Sequence, residues 1–161
     1  MITTFLYQKD KILEKNVDRA RMLQSLRDKD SLLWVDLENP NDFEEECLVE
    51  IFNFHDLAID DCLNDLSQPK VDDYEEYLFL VLHAVNLGDG SGQEELLTVE
   101  INIFLGPNYV VTFHKGPIQS VSQIREMAQK KPDSFMGQGS DKLVYYIIDY
   151  LVEKYQPVLD L

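Results

Sequence analysis

No stretch of the chain is apolar for the roughly 20 residues that a membrane-spanning helix needs. The longest apolar run, Tyr77 to Val85, is strand-sized, so this stretch of sequence alone cannot conduct an ion across a bilayer. Positive charge is scarce: Lys and Arg number 14 against 30 Asp and Glu, a net charge of −16. That balance excludes a nucleic-acid binder, because phosphates require a basic face, and it excludes an anionic membrane surface. The chain does not open on a basic stretch followed by an apolar one, so no signal peptide is expected. Only two cysteines, Cys47 and Cys62, are present, too few for a disulfide framework. Both fall in expected helices and read as small apolar residues in a reducing cytosol.

Catalytic and cofactor signatures are missing as well. His55, His83 and His114 show no zinc spacing with one another or with the cysteines. The run Gly88-Asp89-Gly90-Ser91-Gly92 lacks the Lys-Ser/Thr ending of a phosphate loop. Counted as a calcium loop from Asp89, it places Glu100 at the twelfth position but Glu94 where the invariant glycine belongs. It reads as a hairpin connection. No nucleophile elbow occurs, and the chain is not expected to be an enzyme.

What remains is a chain of 161 residues, 45% hydrophobic, enough for one domain with a proper core. Strands are expected at Met1–Tyr7, Lys11–Lys15, Ser31–Leu37, Tyr74–Leu87, Leu96–Leu105 and Tyr109–His114, the last three as an antiparallel meander. Helices are expected from Val17 to Leu26, from a cap at Asn41 or Asp42 to about Phe54, and from a cap at Asp56 to a stop at Asn64. A further helix starts with Pro117 at its first position and ends at Lys130-Lys131-Pro132. Met136 to Ser140 is a linker, and a last helix runs from Ser140 or Asp141 to Tyr155 or beyond. The fold class is α/β in the α+β sense: a mixed, largely antiparallel central sheet flanked by helices on both faces. In the last helix Val144, Ile148, Leu151 and Tyr155 share a stripe, which Val158 and Leu159 extend past Pro157 with no polar tail and no glycine cap. The expectation is a helix cut within a longer one.

The chemically suggestive stretch is Asp56 to Asp72, DLAIDDCLNDLSQPKVD. Within it Asp60 and Asp61 are adjacent, and successive helix residues point about 100° apart. They cannot chelate one ion from the same face; either could serve a site completed from elsewhere, or both could be solvated carboxylates. Asp149 precedes Glu153 by four residues, so both share a helix face, where like charges cost a few tenths of a kcal/mol (~0.2–0.5) unless a cation, water or Lys154 offsets them. Glu44, Glu45 and Glu46 lie in the first turns of a helix, where the dipole favours anions, and read as a solvated helix start.

Several motifs in order resemble one family. They are Ile59-Asp60-Asp61-Cys62-Leu63-Asn64, then Gln68-Pro69-Lys70-Val71-Asp72, then Tyr77-Leu78-Phe79-Leu80-Val81-Leu82-His83. Asn102-Ile103-Phe104-Leu105 follows, with Tyr109-Val110-Val111-Thr112-Phe113-His114 and Tyr146-Ile147-Ile148-Asp149. Together they resemble the amino-terminal cytoplasmic domain of the CorA family of magnesium/cobalt transporters, from roughly Leu33 to the end. Where that family has Gln-Arg before the proline, this chain has Ser67-Gln68, so a basic side chain is missing. The resemblance implies a cytoplasmic α/β domain over residues 1–139, with residues 140–161 beginning a stalk helix that leads to membrane segments not contained here. It implies a regulatory Mg²⁺ site between subunits of a homopentamer, with Co²⁺ able to substitute. Asp60, Asp61 and Asp149 would be the metal ligands, and the assembly would lie on the cytoplasmic face of the inner membrane. The same domain in a zinc transporter of the ZntB branch, or a stand-alone acidic metal-binding module, is the alternative.

Overall fold

The computed structural model describes residues 1–64, 68–86 and 97–154. Seven strands, β1 Ile2–Gln8, β2 Glu14–Lys15, β3 Ser31–Glu38, β4 Lys70–Asp73, β5 Leu78–Asn86, β6 Leu97–Leu105 and β7 Tyr109–His114, form one sheet in the order β2-β1-β3-β7-β6-β5-β4. Every pairing is antiparallel except β3 with β7. That parallel pair occupies the centre, which fits the burial of β3 from Ser31 to Leu37: a parallel pair is covered on both faces. The expected meander is β5-β6-β7.

Side chains alternate along each strand and so divide the core in two. On one face Leu33, Val35, Leu37, Phe79, Val81, Phe104 and Val111 pack beneath α1 Arg19–Leu26, α2 Asp42–Glu45, α3 Cys47–Glu50 and α4 Asp56–Leu63. On the other, Phe5, Trp34, Ile101, Ile103 and Val110 pack beneath α5 Gln119–Lys130, α6 Pro132–Met136 and α7 Ser140–Glu153. The helix–sheet–helix layering agrees with the expectation.

Several boundaries differ for local physical reasons. Asp56 is the first residue of α4, not its cap. His55 is extended, and its Nδ1 accepts from the Leu57 N–H at 3.1 Å. Pro117 lies outside α5, whose cap is the extended Ile118, buried in the core. Pro132 does end α5, but it also opens α6 at the first helical position, where its missing N–H costs nothing. The stretch read as a linker is partly helical. Ser140 is the first residue of α7 rather than its cap; Gly139 takes that place at φ 99°, and the Ser140 hydroxyl donates to the Gly106 carbonyl at 2.6 Å. The helix expected from Asn41 to Phe54 divides into α2 and α3, with Asn53 in the left-handed region beyond. Tyr74–Tyr77 is a turn, and the strand before it, β4, was not anticipated. The Gly88–Gly92 connection, Ser67 and the chain beyond Lys154 lie outside the described residues.

At the centre of the second core sits a charge. Asp36 of β3 is fully buried. Its Oδ1 accepts from Thr112 Oγ1 at 2.6 Å and from His114 Nε2 at 2.8 Å, and its Oδ2 accepts from Arg125 Nη1 at 2.9 Å. The other ring nitrogen of His114 lies 2.7 Å from the Gly116 carbonyl. Both partners of the imidazole accept, so the site favours the imidazolium form, with a proton on each ring nitrogen. Burial alone would lower its pKa, but the hydrogen bond and charge of Asp36, joined by the Gly116 carbonyl, raise it above the ordinary value.

Removing one member of a buried ionic network strands the others. Asp36→Ala is expected to lower unfolding free energy by about 3–5 kcal/mol in urea titration. Because the folded pKa of His114 is raised, its contribution is complete below the unfolded value of about 6.5 and is lost as pH rises through the folded value. Stability of the parent chain should therefore decline with pH above that point, and His114→Gln should flatten this slope; an unchanged slope would remove His114 as its source.

Candidate cation site

The acidic pair sits on the last turn of α4. Ala58 and Cys62, four residues apart, face the sheet and are buried. That phase fixes the rest: Asp60 faces solvent, and Asp61 lies on the flank with its side chain 22% exposed. Asn64 closes the helix, donating from both its backbone N–H and its Nδ2 to the Asp60 carbonyl at 2.9 Å.

Asp61 is not a bare ligand. Lys70, at the start of β4, forms an ion pair with its Oδ2 and with Asp72 Oδ2, the latter at 2.7 Å. Lys70 and Asp72 are two apart on a strand and therefore share a face. Hydrogen bonds to Asp61 and then Asp72 raise the ammonium pKa well above its usual range, against a small opposing effect of burial. The result is an intramolecular clamp in which one tethered cation spans two carboxylates, leaving a net single negative charge. The spacing of Lys70 and Asp72 on one strand face signals their pairing, but not the contact with Asp61.

Asp149 lies on α7, exposed, with Glu153 exposed one turn later. Because α4 covers one face of the sheet and α7 the other, a single chain does not bring Asp149 to Asp60 and Asp61. Among the described residues, no three of His, Cys, Asp and Glu converge closely enough to hold a metal ion. The carboxylates are hard oxygen donors, and Mg²⁺ retains most of its waters while using one or two carboxylates. The chain thus presents separate carboxylates suited to a hydrated ion, with further ligands required from another molecule.

The other candidates resolve into structural roles. Glu44 completes a capping box with Asn41 and meets the amino terminus at 3.2 Å. Glu46 and Glu50 flank Arg19. Cys47 and Cys62 are buried in the core, where burial pushes the Cys47 thiol up to about 12 and raises that of Cys62 well above its ordinary value.

Comparison with known proteins supplies the context. Residues 29–161 match the family described as CorA-like Mg²⁺ transporter protein. The Bacillus subtilis (strain 168) protein named "Putative metal ion transporter YfjQ" is 39% identical over 126 residues, covering 78% of this chain and 37% of that protein. Magnesium transporter ALR1 of Saccharomyces cerevisiae is 28% identical over 126 residues, covering 78% of this chain and 14% of the relative. The chain therefore spans well under half the length of these relatives. Among solved structures, full-length CmaX superposes with a TM-score of 0.77 at 18% identity over 98% of this chain and 47% of that one. The soluble domain of CorA from Methanocaldococcus jannaschii gives 0.75 at 17% identity over 99% and 58%. The ZntB cytoplasmic domain from Vibrio parahaemolyticus gives 0.68 at 16% over 99% and 61%. At these identities the structures establish the fold. No helix among the described residues is long and apolar enough to cross a membrane.

Replacing Lys70 with Met removes the tethered cation and leaves Asp61 and Asp72 facing each other. The expected outcome is a small loss of stability, up to about 1 kcal/mol for a partly exposed pair, together with Mg²⁺ binding several-fold tighter than in the parent chain by isothermal titration. Identical Mg²⁺ heats in the two proteins would show that the clamp does not compete with metal.

Proposed function

Since the chain belongs to the CorA-like Mg²⁺ transporter family, a family of transporters and not of enzymes, we propose that it is the cytoplasmic, Mg²⁺-sensing domain of a divalent-cation channel. The observation that carries this reading is the family match over residues 29–161. Residues 1–139 form the sensing body, and residues 140–161 begin the helical stalk toward the membrane. The working assembly is a homopentamer on the cytoplasmic face of the inner membrane. Mg²⁺ is the regulatory ion, and Co²⁺ substitutes for it.

In this proposal a hydrated ion lies between neighbouring subunits, held by Asp61 of one and a carboxylate of the next, with Asp60 and Asp149 nearby. The placement of α4 and α7 on opposite faces of the sheet supports a site shared between chains, since one chain cannot assemble it alone. The ion offsets repulsion between acidic surfaces and favours the closed assembly. When Mg²⁺ falls, the repulsion returns and the population shifts toward open states. At ten times its dissociation constant the ion contributes about 1.4 kcal/mol per site, so several sites acting together are needed for a decisive bias. The likeness to a ZntB domain does not favour zinc, because the shared feature is the fold and ion choice belongs to pore segments.

The test is thermal stability of the full-length assembled transporter with and without Mg²⁺. The parent protein should gain stability with Mg²⁺, and Asp61→Ala should gain markedly less. Equal gains in both would exclude Asp61 as a ligand.

A further inference from the structure

A groove of about 720 Å³ opens at one end of the sheet, beside the buried Ile51 and Tyr77. Its floor is apolar and half-buried: Leu26, Phe52, Leu78, Leu105 and Tyr109. The floor is rigid. The rings of Phe52 and Tyr109 lie 5.1 Å apart, Phe52 stacks on Phe54 at 5.2 Å, and Phe54 stacks on Phe104 at 3.8 Å. Gly106 lets the chain turn tightly here, because a Cβ at that position would fall 2.2 Å from the Tyr109 ring.

The rim carries charge of one sign. Asp73 ends β4, Glu75 and Glu76 lie in the turn to β5, and Asp141 is in the first turn of α7; all four are exposed. None forms an ion pair among the described residues. No lysine, arginine or histidine lines the groove. By contrast, Glu14, Glu46, Glu50, Asp61 and Asp72 each sit against a basic side chain.

We propose that this groove docks a lysine- or arginine-rich amphipathic segment of a protein partner, its apolar side chains on the aromatic floor and its cations on the acidic rim. Charge complementarity selects the occupant. A second copy of this chain carries the same excess of negative charge, −16, and so is a poorer match to an acidic rim than a basic segment is. The groove is open rather than enclosed, so it cannot bury most of a small ligand's surface as small-molecule sites do. The carboxylates come from separate elements, which suits a segment laid across them. The site is independent of the carboxylates assigned above to Mg²⁺.

The probe is a synthetic amphipathic peptide of about 14 residues, lysine on one helical face and leucine on the other, added to the ¹⁵N-labelled chain. Amide shifts should concentrate at Glu75–Leu78, Leu105–Tyr109 and Ser140–Asp141. The combined variant Glu75→Gln, Glu76→Gln, Asp141→Asn should bind about tenfold more weakly at unchanged melting temperature. Polylysine, which lacks the apolar face, should also bind about tenfold more weakly than the peptide. Shifts scattered over the whole acidic surface, equal binding by the variant, or equal binding of polylysine would each overturn the proposal. Displacement of the peptide by an equal concentration of tetrapropylammonium would overturn it in favour of a small organic cation.

Discussion

The buried carboxylate of Asp36 is the constraint on which the sheet's centre depends. A lone ionised group in that position would be prohibitively costly, so its partners have to be in place when the core closes. They are three residues on two elements: His114 and Thr112 on the parallel neighbour β7, and Arg125 on α5. The register that sets Asp36 opposite Thr112 is therefore coupled to the docking of a helix layer. Trp34, the one tryptophan, joins through its Nε1, which donates to the Thr112 hydroxyl at 3.1 Å. An apolar core would tolerate a slip of one strand with partial repacking. This one would leave three polar groups unpaired, which ties the only parallel pairing among the described strands to a unique geometry.

Much of the architecture is legible in residue order because hydrophobic period and burial agree. Ser31–Leu37 is mostly apolar and Tyr109–His114 is rich in β-branched and aromatic residues; the two form the central pair. Pattern is weakest where packing contributes little. In β4, Lys70–Asp73, only Val71 is apolar, and it is 62% exposed; the strand exists because it pairs with β5 and because Lys70 links it to α4. Caps were misread where an unusual residue did the capping. His55 uses a ring nitrogen where a carboxylate one position later was the commoner choice, and Gly139 replaces Ser140 because the serine hydroxyl is drawn to the Gly106 carbonyl.

The acidic pair could be found from sequence, since Asp60 and Asp61 stand out in a short, tightly punctuated helix. Its electrostatic state could not. That Asp61 lies against a lysine depends on the pairing of β4 with β5 and on the angle at which α4 crosses the sheet, neither of which is written in local spacing. Asp149 likewise has a clear place on its helix, but the separation of α4 and α7 by the thickness of the sheet emerges only from the topology. That separation bears most directly on function: carboxylates held on opposite faces of one domain can share an ion only across a boundary between domains.

The distribution of charge carries this argument one step further. With 30 acidic and 14 basic residues, the chain cannot neutralise itself, and its few cations are placed with economy. Arg125 and His114 serve the core, Arg19 and Arg21 bind the first helices to their neighbours, and Lys70 holds α4 to β4. The surplus of negative charge is left at the surface, where salt screening weakens repulsion within one copy, and repulsion between copies appears as they approach. In the proposed assembly, what such domains recruit from solution would hold them together where complementary side chains do not. A divalent ion is suited to that role because its hydrated form can neutralise carboxylates from two chains without requiring either to leave water. The same logic explains why the tethered ammonium of Lys70 matters: it already supplies one positive charge to Asp61, and so sets how strongly that carboxylate can draw in a second.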